Sequence, residues 1–166
     1  STVKNIEDYW NNNFIAFAIG CSFSFEDALL NAGLEIDHIT NNKVVPMYRT
    51  NIKNKKSGPF NSKMVVSMRI FNQKDINKVK QVSGNFSFAH GDPIHIGNPV
   101  EIGINNILSP DWGDSPRKKN DDEEYIFWAC GVTPQNAIIE AKIPFCITHT
   151  PGHMLITDIS ENSLHC

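Results

Sequence analysis

A chain of 166 residues with 40% hydrophobic and 20% charged residues has the size and composition of one globular domain with a real core, which excludes a disordered chain. The net charge of −3 supplies no basic face, so no nucleic-acid partner is expected, and Lys53, Lys55 and Lys56 read as a solvated loop. No apolar run approaches the ~20 residues of a spanning helix, and the start lacks the charged-then-apolar order of a secretion signal, so no membrane partner is expected either.

The polar stretch 1–13 begins at Ser1 without a methionine, as a processed product or one piece of a longer protein would. Phe14 to Ile19 is an apolar run that reads as a strand. It breaks at Gly20 and Cys21, and Ser24 is placed to cap a helix, about Phe25 to Ala32, whose first turn carries Glu26 and Asp27. Gly33 ends that helix, and Leu34 to Ile39 leads to a turn at Asn41 and Asn42. Val44 to Thr50 is the next strand; Pro46 marks an edge or bend, and Tyr48 and Arg49 are its polar tips. Met64 to Phe71 is a second, Val-, Met- and Ile-rich strand, followed by an amphipathic helix over Asn72 to Ser83 with Asn72 as cap and Ile76, Val79 and Val82 on one face.

From Asn85 to Asp114 the chain is rich in Gly, Pro, Asp, Asn and His, the composition of a long functional loop. It holds HGDPIHIGNP (90–99), a short strand at Val100 to Ile104, and SPDWGD (109–114). A charged connection, Arg117 to Glu124, leads to the buried strand Tyr125 to Ala129. Cys130 and Gly131 then turn sharply into a helix with Thr133 as cap and Pro134 at its first position, running to about Ala141. Phe145 to His149 and Met154 to Asp158 read as two last strands joined by a tight turn, before a polar tail, Ser160 to Cys166. This order predicts an α/β fold: a mixed sheet with flanking helices and at least one antiparallel hairpin, expected from the last two strands.

Cys21, Cys130, Cys146 and Cys166 show no close pairing, so free thiols in a reducing, cytoplasmic setting are expected. Cys130 stands out, because a thiol at a helix N-terminus can fall from about 8.5 to ~3.5–7.5 and become a thiolate; an inert core cysteine is the alternative. His90 and His95 flank Asp92, and His149 and His153 flank Pro151 and Gly152, which break the helix that a His-x-x-x-His metal pair needs. No cofactor is therefore expected; a divalent metal on these loops is the alternative. Arg49 suits a carboxylate anchor or a surface ion pair, and Glu26, Asp92, Asp111 and Asp114 suit acid-base work or turns and caps.

Taken together, GCSFSFEDAL (20–29), VPMYRTNI (45–52), HGDPIHIGNP, SPDWGD, FWACGVTPQ (127–135) and PFCITHTPGHMLITD (144–158) resemble, in order, the D-glutamate cyclase family, whose bacterial members are often labelled hydro-lyases. The resemblance implies one α/β domain over 1–166 without the substantial N-terminal portion that family members carry, and reversible dehydration of D-glutamate to 5-oxo-D-proline. Such a site must hold carboxylates, deprotonate an ammonium and assist a departing oxygen. The expected catalytic group is Cys130, His90, Asp92 and His95. A small carboxylate substrate is expected on Arg49, Ser24, Glu26, Gly131, Thr133, Gln135 and His149. Association between copies, or with the N-terminal portion, is a further expectation; a non-catalytic small-molecule or metal-binding domain, or an inactive fragment of the enzyme, is the competing class.

Overall fold

A computed structural model describes residues 2–159; the tail Ser160 to Cys166, with Cys166, lies outside the described residues. Its centre is a four-stranded antiparallel sheet in the order β1-β2-β4-β3, where β1 is Met47–Lys53, β2 Lys63–Asn72, β3 His95–Ile96 and β4 Glu123–Ala129. The α/β class holds, and so does the antiparallel hairpin, but that hairpin is β1–β2, with Met47 opposite Ser67 and Lys53 opposite Lys63. In β2 seven consecutive residues, Val65 to Phe71, are buried, as a strand covered on both faces must be. β4 runs along it from Val66 opposite Ala129 to Asn72 opposite Glu123.

The side-chain alternation of these strands separates two cores. On one face Phe71, Ile126 and Trp128 meet Phe25 and Leu29 of α1 (Glu26–Asn31), Ile36 before α2 (Asp37–Thr40), and Val79 of α3 (Ile76–Gly84). On the other, Tyr48, Val66, Met68, Ile70, Tyr125 and Phe127 are covered by Ile102 and Ile104 from the long loop. α4 (Thr133–Glu140) leaves β4 through Cys130 and returns along β2. α1 ends as its sequence suggests: Gly33 takes a φ of 76°, and Leu34 N–H reaches back to the Leu29 carbonyl at 3.0 Å.

Four expected strands are absent among the described residues. Phe14–Ile19, Phe145–His149 and Met154–Asp158 run without ladder partners and are mostly exposed. Their composition favours a strand, but a strand exists only where another chain segment takes up its backbone groups. Val100–Ile104 instead lies in a 3-10 turn, Pro99–Ile102, because Pro99 sits at the first helical position and the Asn98 side chain accepts the Val100 N–H. Neither Ser24 nor Asn72 caps a helix through its side chain. Ser24 lies within a 3-10 turn, Ser22–Phe25, that precedes α1, and a second such turn, Gln73–Asp75, precedes α3.

Candidate active site

Period-2 alternation sends Ser67 and Arg69 of β2 to the helix-covered face, where an arginine needs partners for its nitrogens. Each nitrogen of Arg69 has one: its Nε donates to Glu26 Oε1 at 2.9 Å, Nη2 pairs with the same oxygen and with Ser22 Oγ, and Nη1 donates to Ser67 Oγ at 3.1 Å. His38 Nε2 lies 3.1 Å from Glu26 Oε1, and the guanidinium carbon rests 5.1 Å from the Phe25 ring and 5.3 Å from Trp128. Burial alone would raise the Glu26 carboxyl, but the charge of Arg69 and the hydrogen bonds from His38 and Arg69 outweigh it and hold the carboxyl below its ordinary value.

Beside this pair three loops meet. The Gly20–Cys21–Ser22 turn passes so close to the loop at 88–89 that a Cβ on Gly20 would lie 1.9 Å from the Phe88 carbonyl oxygen. On its other side a Cβ on Gly131 would lie 3.9 Å from the Gly20 carbonyl oxygen. His90 closes the loop with a φ of 79°, a left-handed conformation that costs a non-glycine residue roughly 1–2 kcal/mol. Its ring shares a hydrogen bond with the Gly20 backbone, while Nε2 is buried with no hydrogen-bond partner. Burial, then the nearby Arg69 charge, push the imidazole below its usual value, so at neutral pH it is uncharged.

Cys130 does not become a thiolate here. Desolvation pushes its thiol up to about 11, which outweighs the Val132 N–H that approaches Sγ at 3.5 Å and the nearby Arg69. Burial likewise raises Cys21, which lies close enough to Cys130 to oppose its ionisation. The arrangement is therefore a neutral base and two protonated thiols beside a buried arginine paired with Glu26. Among the described residues no group of three or more His, Cys, Asp or Glu side chains converges as metal ligands would.

A family model described as D-glutamate cyclase matches residues 15–158, which include every residue of this cluster. The chain belongs to the D-glutamate cyclase family. Similar proteins carry the name "Putative hydro-lyase": one from Pelagibacter ubique is 50% identical over 96% of this chain and 61% of its own length. Those from Dinoroseobacter shibae and Burkholderia ambifaria are each 49% identical over 98% of this chain and 54% and 63% of their own. The chain thus spans less than two thirds of the length of these D-glutamate cyclase family relatives.

Not every expected site residue of this family member joins the cluster. His90, Glu26, Cys130 and Gly131 do. Thr133 stands beside them but its hydroxyl is tied to β2, accepting from Val65 N–H at 3.0 Å and donating to the Val65 carbonyl at 3.1 Å. His95 faces the opposite side of the sheet, 5.6 Å from the Phe127 ring, with Nε2 2.9 Å from the Asn98 carbonyl oxygen. Asp92 is exposed beside Gly84. Arg49 is half exposed: it binds Asp111 through Nη1 at 2.5 Å, stacks 4.3 Å over Trp112, and donates to Asn136 Oδ1. It borders an open hollow of about 210 Å³ that Asn105, Asn106 and Ser109 also line. Gln135 donates to the His149 carbonyl at 2.9 Å, a surface contact. Ser22, His38, Ser67 and Arg69 were not among the expected site residues. The available signal was an arginine and a serine alternating inside the apolar run MVVSMRIF, where each has to face a core.

Proposed function

We propose that this member of the D-glutamate cyclase family belongs to a hydro-lyase that removes water from a small amino or hydroxy acid, most specifically interconverting D-glutamate and 5-oxo-D-proline. Two things support the reading: the family match, and the single observation that carries the site, the buried and unpartnered Nε2 of a neutral His90 where three loops meet. In ring closure the α-nitrogen attacks the γ-carboxyl carbon, a C–N bond forms, a C–O bond breaks, and two of the three ammonium protons leave with the oxygen as water, the third staying on the lactam nitrogen. His90 Nε2 takes a proton from the ammonium, and a protonated thiol, Cys130 or Cys21, donates a hydrogen bond to the departing oxygen. Thiolate attack is not part of this scheme, because the Cys130 thiol lies near 11. Arg69 is spent on Glu26 and lends the site its positive field. We place the reaction in a reducing, cytoplasmic setting, in keeping with the free thiols Cys21, Cys130 and Cys146.

Incubation with D-glutamate or 5-oxo-D-proline in ¹⁸O-labelled water, read by chiral chromatography and mass spectrometry, tests the reading. Interconversion should place ¹⁸O in the γ-carboxylate, and His90→Asn should lower the rate ~10²–10⁴-fold. No exchange in either direction ends the D-glutamate reading; exchange that survives His90→Asn ends the assignment of the base. Thermal stabilisation by either compound without turnover would favour ligand binding alone.

A further inference from the structure

FIAFAI (14–19) and MLITD (154–158) have the composition of buried strands but lie open: Ile15 is 80% exposed, Phe17 82%, Leu155 78% and Ile156 84%. No backbone-to-backbone hydrogen bond engages residues 15–19 or 154–158 among the described residues. The first strip starts beside the segment that leads to the second, because Phe14 stacks on Phe145 at 5.7 Å and 20° while Trp10 meets Phe14 edge-on at 5.5 Å. Single exposed apolar side chains are ordinary, but a contiguous apolar surface carrying free backbone groups marks an interaction site.

We propose that residues 14–19 and 145–158 form a docking surface for β-strands from a polypeptide equivalent to the part of the relatives that the match leaves out. That part is more than a third of each relative, enough chain for a sheet and its covering layer. The pattern of 14–19 favours this occupant over a second copy. The run is apolar at every position, so both of its faces need cover, as in a central strand. Two copies pairing their own strips would join edges and leave those faces in water. The docked strands would pair with the backbone groups that lead into Gly20 and Cys21, placing a second wall against the turn that holds His90.

Hydrogen exchange on the intact Pelagibacter ubique relative, compared with this chain alone, is the test. The positions aligned with 15–19 and 154–158 should exchange at least a hundredfold more slowly in the relative, while β2 and β4 are protected in both. Co-expression of this chain with the relative's unmatched portion should give a one-to-one complex that Phe17→Asp with Ile156→Asp abolishes. Those two changes should leave the urea midpoint of the chain alone unmoved, since both side chains face water. Equal, fast exchange at these positions in the relative overturns the proposal. So does a complex indifferent to both substitutions, or protection in this chain alone through pairing of two copies.

Discussion

Glu26→Gln removes one negative charge and almost no volume, so it isolates what that charge does for Arg69. The Arg69 side chain is 1% exposed, and Glu26 Oε1 accepts from both its Nε and Nη2. Taking one partner from a buried ion pair costs about 3–5 kcal/mol, mostly because the remaining charge stays desolvated. With a urea dependence of about 2 kcal/mol per molar, the midpoint at pH 7 should fall by about 1.5–2.5 M. Arg69→Met should cost a similar amount. The double variant should then lose at least about 2 kcal/mol less than the sum of the singles, since it leaves neither charge behind. The wild-type pH profile carries the same signature. The folded-state carboxyl lies below its ordinary 4.5, so its contribution is complete above that value and is lost as pH falls through the lowered one. Glu26→Gln should flatten that acid limb. Additive singles, or singles that each cost under ~1 kcal/mol, would refute the reasoning.

Gly20→Ala should destabilise the chain by about 1–3 kcal/mol in thermal melts, since its Cβ would meet the Phe88 carbonyl oxygen at 1.9 Å and backbone would have to move; a change within ~0.5 kcal/mol would contradict this packing. Iodoacetamide should modify exposed Cys146 well before Cys130, whose rate should still be climbing at about pH 9.5 because its thiol lies near 11. An inflection for Cys130 under ~8 would show an activated thiolate instead. An NMR titration of the His90 ring should inflect below 6.5, and the stability it contributes above that value should drain away as pH falls through the lower one. At the same position Asn, which tolerates a φ of 79°, should be more stable than Val by roughly 1–2 kcal/mol.

Local pattern revealed the elements that carry their own signal. β2 and β4 are apolar and β-branched, and the two longer helices announce themselves through Ile76, Val79 and Val82 and through Pro134. Phe14–Ile19 and Met154–Asp158 have the same signal without the same outcome, because strand formation depends on a neighbour that composition cannot supply. In the site, His90 and Glu26 were legible as chemistry-bearing types in unusual stretches, but their surroundings were not. The desolvation that keeps Cys130 protonated comes from packing, and it reverses what a helix N-terminus alone would do. The side of the sheet that His95 faces is set by its register opposite Phe127, which nothing in HGDPIH encodes. Arg69 stayed hidden because its partners Ser22 and Glu26 are 47 and 43 residues away along the chain.

The packing of Arg69 against Phe25 and Trp128 gives the chain an internal optical gauge. Of its three tryptophans, Trp10 is exposed and Trp112 half-buried under Arg49, whereas Trp128 is sealed off from water and lies 5.3 Å from a guanidinium whose position Glu26 fixes. The short-wavelength part of the emission therefore belongs to Trp128, and it changes when the charge beside that ring is lost or moves. A ligand or strand that settles against the Gly20 turn can be followed through this residue without any label.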